Sequence, residues 1–213
     1  MNRSYFVNKI TQRKKSNTSN VLFNNSFEIE IHNEIINKYN LISKKQISDE
    51  IFEKIINDQN FLEAKKIAYN YVSYKPRTEY QVIQKLKEKK FEDEIINKTI
   101  NFLKEFNLID DEKYAKQFSK DFVQRKKIGK TKLILELQKR GINGELALKT
   151  ANEIFQNIDF FMLASELCEK KLKIIKNKTP EKRKNLLIQH LQRQGFDWDI
   201  TKKILEHYQN NFK

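Results

Sequence analysis

A mainly α-helical fold, three tandem three-helix repeats behind a small β-containing extension, is predicted by three observations. The first is a segment that the chain states three times. Lys85-Leu86-Lys87-Glu88-Lys89-Lys90-Phe91 with Ile95 recurs as Glu136-Leu137-Gln138-Lys139-Arg140-Gly141-Ile142 with Leu146, and as His190-Leu191-Gln192-Arg193-Gln194-Gly195-Phe196 with Ile200. That period is two or three short helices long, the range of helical repeat arrays. The second is the scarcity of breakers: 4 Gly and 2 Pro, most of them where the repeats call for a helix end. The third is a change of apolar period near residue 60, from alternation to helical spacing. Units this small cannot bury an apolar face alone, so they must stack on their neighbours into an elongated, curved array of either hand. Binding to a long partner, rather than catalysis, is the first functional expectation.

Taken in order, residues 1–60 form the extension. Tyr5 to Ile10, Val21 to Phe23 and Phe27 to Ile31 are short, partly alternating and rich in β-branched and aromatic residues, with turn formers at Asn24-Asn25-Ser26. They predict an antiparallel meander, with a hairpin tip at Ser16 to Asn20 and helical segments near Asn33 to Tyr39 and Ser48 to Asn57. Repeat 1 spans 61–109, with helices near 61–73, 78–89 and 93–106. Thr78-Glu79-Tyr80-Gln81 has the form of a capping box behind Pro76. Repeat 2 spans 110–157, with helices near 111–126, 130–140 and 143–157, the first opened by Asp110 and Asp111. Repeat 3 spans 158–213, with helices near 159–176, 180–194 and 197–209. Thr179 precedes Pro180 there, and Asp197 caps the last helix. Gly141 and Gly195 suit left-handed helix ends; Lys90, at the same place in repeat 1, must bear strain or end its helix differently.

The formal charge of +14 and a pI near 9.6 point to a polyanionic partner. With 38% hydrophobic and 11% aromatic residues the chain has a real core. It lacks a run long enough for a membrane span and the apolar stretch of a signal peptide, so the expected location is cytoplasmic, with no membrane partner. The cations gather at one place in each repeat. Arg125, Lys126, Lys127, Lys130 and Lys132 surround Gly129, followed by Lys139 and Arg140. Lys173, Lys176, Lys178, Lys182, Arg183 and Lys184 hold the equivalent junction of repeat 3, with Arg193 at the end of the second helix. Repeat 1 has Lys75 and Arg77. Stacking would align these clusters into a stripe that a phosphate backbone can follow. Solvation of outer helix faces accounts for many lysines equally well, least so for the cluster from Arg125 to Lys132. Tyr74, Tyr80 and Trp198 are candidates for base stacking, although packing explains them too.

Chemistry is sparse. Asp110-Asp111-Glu112 beside Lys113 is the one dense acidic group of the repeats, and a helix start explains it without a metal. His32, His190 and His207 share no ligand spacing, and the glycines form no phosphate-binding loop. Cys168 is single, in an apolar run, so it is read as a small buried hydrophobe. No enzyme activity, cofactor or metal is expected.

Four segments, in order, carry a family resemblance. They are Tyr71 to Glu79, then Asn107-Leu108-Ile109-Asp110-Asp111-Glu112-Lys113-Tyr114-Ala115 through Phe118, then Gly129 through Ile142, and Leu191 through Trp198. Over about residues 61–209 the chain resembles the RecX family of recombination regulators, with Leu108 through Ala115 the most specific stretch and Lys90 a departure from the usual glycine. The resemblance implies tandem three-helix repeats that bind DNA, single- or double-stranded, and the RecA filament. It implies inhibition of strand exchange and of the DNA-dependent ATPase, hence a place in DNA recombination, repair and the SOS response, by a monomer lying in the filament groove. The residues expected at the nucleic-acid or filament face are Arg77, Arg125, Lys126, Lys127, Lys130, Lys132, Lys139, Arg140, Arg183 and Arg193. A general architectural DNA-binding protein and a protein-interaction solenoid are the competing readings.

Overall fold

The computed structural model describes residues 4–14, 16–156 and 158–212. Among these residues four strands come first: β1 (Ser4–Gln12), β2 (Thr18–Phe23), β3 (Phe27–His32) and, after the short helix α1 (Asn33–Lys38), β4 (Gln46–Ser48). They form one antiparallel sheet in the order β3-β2-β1-β4. The β2–β3 hairpin turns through Asn24, Asn25 and Ser26 between the paired Phe23 and Phe27, with Asn24 and Asn25 at positive φ and the Ser26 amide donating to the Phe23 carbonyl (2.9 Å). Their neighbours fix it: the Asn24 side chain accepts from the Phe6 amide (2.7 Å) and the Asn8 side chain from the Asn25 amide (2.6 Å). The register of β1 against β2 shifts between Val7 and Lys9, where Asn8 is the extra residue.

Nine further helices follow among the described residues: α2 (Asp49–Tyr74), α3 (Glu79–Glu88), α4 (Asp93–Glu105), α5 (Asp111–Lys126), α6 (Lys130–Gln138), α7 (Gly144–Phe155), α8 (Phe160–Ile175), α9 (Pro180–Arg193) and α10 (Trp198–His207). The last is followed by a 3-10 turn at Gln209–Phe212. The predicted mainly helical fold with a small N-terminal sheet is the fold observed.

Three local expectations are corrected. The segments near 48–57 and 61–73 are one helix, α2, because Gln59, in the polar stretch that reads as a break, is buried. Its Oε1 accepts from the His32 amide (2.9 Å) and its Nε2 donates to Glu63 (2.9 Å). The meander gains β4, which exists by pairing with Ser4–Phe6. The hairpin tip expected at Ser16 to Asn20 is shorter, since Thr18 and Ser19 are buried members of β2.

By contacts the chain divides into two units. The first comprises residues 1–74 and 82–108, the second residues 75–81 and 109–213. In the first, Val7, Val21, Phe23, Ile31, Ile35, Leu41, Ile47, Phe52 and Ile55 form the core that joins the sheet to α2. Tyr5 stacks on Phe52 with ring centroids 3.8 Å apart. In the second, Ala115, Val123, Ile128, Leu133 and Leu137 pack with Ala151, Cys168, Leu187, Leu191 and Ile204 into one core.

The repeated segment ends its helix in the same way three times. Phe91, Ile142 and Phe196 donate their amides to Leu86, Leu137 and Leu191, with Lys90, Gly141 and Gly195 at positive φ. This is the Schellman closure. Lys90 thus takes the left-handed conformation (φ 63°) that glycine adopts freely.

Candidate nucleic-acid interface at the repeat joints

The candidate residues are positioned by two joints of the same design, both inside the second unit. At the first, Thr78 heads α3. It closes the capping box with Gln81, whose amide donates to the Thr78 hydroxyl oxygen (3.2 Å), while the Thr78 amide donates to Gln81 Oε1 (3.3 Å). The fully buried Thr78 hydroxyl then donates to the Arg140 carbonyl (2.6 Å), and Tyr80 lies so close over Gly141 that an added Cβ would come within 2.8 Å of its Cδ1 and nearer still to Cβ and Cγ. At the second joint Gly129, the residue before α6, donates its amide to the Gln194 carbonyl (2.8 Å), and a Cβ on Gly195 would reach 2.6 Å from Lys132 Cβ. The start of a second helix therefore sits on the left-handed glycine turn that ends the next second helix. Glycine is required at both turns for want of space as well as for φ.

Nine of the ten candidates lie at these joints. Arg77 adjoins Thr78, with Lys139 and Arg140 opposite; Arg125, Lys126, Lys127, Lys130 and Lys132 flank Gly129, with Arg193 beside Gln194. Arg183 lies apart, in the second turn of α9, and its Nε is buried without a hydrogen-bond partner among the described residues.

Several of these cations are engaged by the protein itself. The Arg140 guanidinium stacks over Phe118 (4.1 Å) and pairs with Glu136 (2.8 Å). Its hydrogen bond holds the Glu136 carboxyl below the ordinary carboxylate range. Lys132 Nζ donates to Gln194 Oε1 (2.7 Å), clasping the second joint. Lys127, left-handed at the end of α5, pairs with Glu166 (2.9 Å), and Lys139 with Glu136 (3.1 Å). Arg125, Lys126, Lys130 and Arg193 form no ion pair among the described residues, which leaves four cations at the second joint to meet an outside anion.

The acidic group is accounted for by helix ends and ion pairs. Asp110 Oδ1 caps the Lys113 amide (2.9 Å), and Glu112 pairs with Lys116 (2.9 Å) and Lys149 (3.3 Å). Asp111 Oδ1 accepts from the Glu79 amide (2.8 Å), so it caps α3 from another helix, a role sequence gives no hint of. No group of three or more His, Cys, Asp or Glu is placed to hold a metal among the described residues. No helix of these residues is long and apolar enough to cross a membrane. Burial pushes the Cys168 thiol up to about 12. Burial, with Lys171, Arg193 and Lys132 nearby, lowers the pKa of His190. Sequence reading also missed Tyr114, Phe118 and Phe122, whose i, i+4, i+8 spacing on α5 is the signal for the stacked ladder they form.

Comparison with known proteins agrees with the geometry. A family model described as the first three-helix domain of RecX matches residues 64–103, and one described as its third three-helix domain matches residues 158–205. The chain is 34% identical over 182 residues to the regulatory protein RecX of Finegoldia magna, covering 84% of each chain. It is 31% identical over 203 residues to that of Clostridium perfringens, covering 94% of each. In fold it matches a crystal structure of regulatory protein RecX with a TM-score of 0.73 at 21% identity, over 95% of this chain and 99% of that one. It also matches a crystal structure of RecX from Lactobacillus salivarius with a TM-score of 0.63 at 24% identity, over 71% and 97%. With glycine turns, joints and relatives over most of its length in agreement, the chain belongs to the RecX family of regulatory proteins.

Proposed function

We propose that this protein regulates the RecA recombinase by binding DNA and the RecA–DNA filament, lowering strand exchange and the DNA-dependent ATPase through binding rather than catalysis. The observation that carries the reading is the second joint, where Arg125, Lys126, Lys130 and Arg193, held by two repeats, have no protein counter-ion among the described residues. Unpaired cations on a chain of charge +14 attract phosphate, and each phosphate neutralised on a single strand contributes about 0.7 to the salt slope. Four contacts correspond to a slope of about −3. The protein acts as a cytoplasmic monomer, with its units bounded at 61–109, 110–157 and 158–213 behind the extension.

The test is the single-stranded-DNA-dependent ATPase rate of the cognate RecA, titrated with wild-type protein and with a variant carrying Arg125→Glu, Lys126→Glu and Lys130→Glu. Suppression below one protein per RecA protomer, weakened in the variant, is the expected result. An unchanged ATPase rate under conditions where the protein is bound to DNA would refute it, and would favour a general architectural DNA-binding role.

A further inference from the structure

Along α5 two clefts adjoin. The first, about 190 Å³, is lined by Lys75, Pro76, Tyr114, Gln117, Phe118 and Asp121. Its walls are flat and firm. The Tyr114 and Phe118 rings are parallel to within 3° with centroids 6.0 Å apart, Phe118 stacks in turn on Phe122 at 4.9 Å, and Arg140 lies over Phe118. Pro76 adds a rigid ring to the lining. The second cleft shares Gln117 and is bordered by Lys113, Lys116 and Lys120. Its two acids, Asp110 and Glu112, already cap the Lys113 amide and pair with Lys116 and Lys149. Lys75, Lys113 and Lys120 make no ion pair among the described residues.

We propose that these clefts are a binding site for one unpaired nucleotide of a single strand, with its base in the slot that Tyr114, Pro76 and Phe118 line, stacked on Tyr114, and its phosphates at Lys113, Lys120 and Lys75. The inference rests on the nucleic-acid reading above and adds to it a place and a preference. An aromatic surface takes the face of any base, so recognition is independent of sequence, and it is denied to a duplex, whose bases are stacked on one another. Gln117 and Asp121, exposed at the rim, meet the polar edge of the base with one amide and one carboxylate. An aromatic side chain of a protein partner would fill the same slot, but Lys75 in its lining and Lys113 and Lys120 along the adjoining cleft, none of them in an ion pair among the described residues, match phosphates flanking a base.

The experiment measures affinity for a fluorescent oligo-dT and for a hairpin duplex at one salt concentration, with wild-type protein, Tyr114→Ala and Gln117→Glu. Gln117 is exposed, so the second variant keeps the fold while placing a negative charge between the clefts. Expected is about a tenfold loss for oligo-dT in Tyr114→Ala, within the range for one base–aromatic stack, with duplex affinity unchanged. An oligo-dT affinity unchanged in both variants overturns the cleft and leaves the basic joint standing. Equal losses on oligo-dT and duplex also overturn it. So does unchanged DNA affinity with weakened suppression of RecA, which assigns the slot to a protein partner. Absence of wild-type binding to either DNA defeats the cleft and the nucleic-acid reading together.

Discussion

Gly195→Ala tests the joint most sharply. Gly195 sits at φ +82°, where an alanine bears about 1–2 kcal/mol relative to ordinary backbone. Its new Cβ would stand 2.6 Å from Lys132 Cβ and closer still to the Lys132 amide nitrogen, so α6 must withdraw. Withdrawal lengthens the bond from the Gly129 amide to Gln194 (2.8 Å), a loss of about 1 kcal/mol, and loosens the Lys132–Gln194 clasp. The sum is about 3 kcal/mol, which at an m-value of about 1.5 kcal/mol/M lowers the urea midpoint by about 2 M. Trp198, the single tryptophan, opens α10 three residues on and reports the transition by fluorescence. Lys90→Gly is the control. It relieves the same backbone conformation (φ 63°) at an exposed turn, and the gain, offset by the greater freedom of glycine in the unfolded chain, is about 0.5 kcal/mol. A midpoint for Gly195→Ala within about 0.5 M of wild type would refute the close-packed joint.

Two further outcomes follow from the side chains. Arg140→Lys keeps the charge but loses the planar stack on Phe118 and the fork to Glu136, so it should destabilise the second unit by about 1–2 kcal/mol, against less than about 0.5 for Arg125→Lys; urea melts of the two variants check this. Cys168, with its thiol pushed up to about 12, stays protonated in the folded protein while the unfolded chain releases the proton near pH 9. The unfolded state then binds fewer protons, so stability falls as pH rises from about 9 toward 12, and Cys168→Ala should remove that part of the fall.

The helical repeats were legible because their signals are local. The expected starts at 78, 111, 130, 143, 159, 180 and 197 lie within one residue of α3 and α5 through α10, since each is marked by a cap, a proline or a glycine next to the helix it bounds. The first part of the chain yielded less, for a tertiary reason. The stretch from Asn57 to Asn60 is polar enough to end a helix, yet α2 runs through it because the Gln59 side chain completes the end of β3. The candidate site divides in the same way. Nine of the cations singled out by charge lie at the two joints, but Arg140, Lys132 and Lys127 are engaged by Phe118, Gln194 and Glu166, partners 22, 62 and 39 residues away. No spacing rule reaches that far.

The departure at Lys90 has a meaning that the joints supply. Gly141 and Gly195 each receive the start of the preceding repeat's second helix, and a Cβ at either would collide with it. Repeat 1 has no predecessor of its own kind, its turn from Lys87 to Lys90 is exposed, and a side chain there meets nothing that glycine was needed to admit. At the other end, aligning Leu86, Leu137 and Leu191 places Arg183 where Thr78 and Gly129 begin the joints, but α9 starts at Pro180, so an extra turn of helix precedes the docking position. Both positions are thus built differently from the two joints. The second joint ties stability to binding. The four unpaired cations at the second joint come from two different repeats brought together by the Gly129–Gln194 contact. Gly195→Ala should therefore weaken DNA binding and flatten its salt dependence without removing a charge. An unchanged salt slope in that variant would mean that the cations act independently of the joint that gathers them.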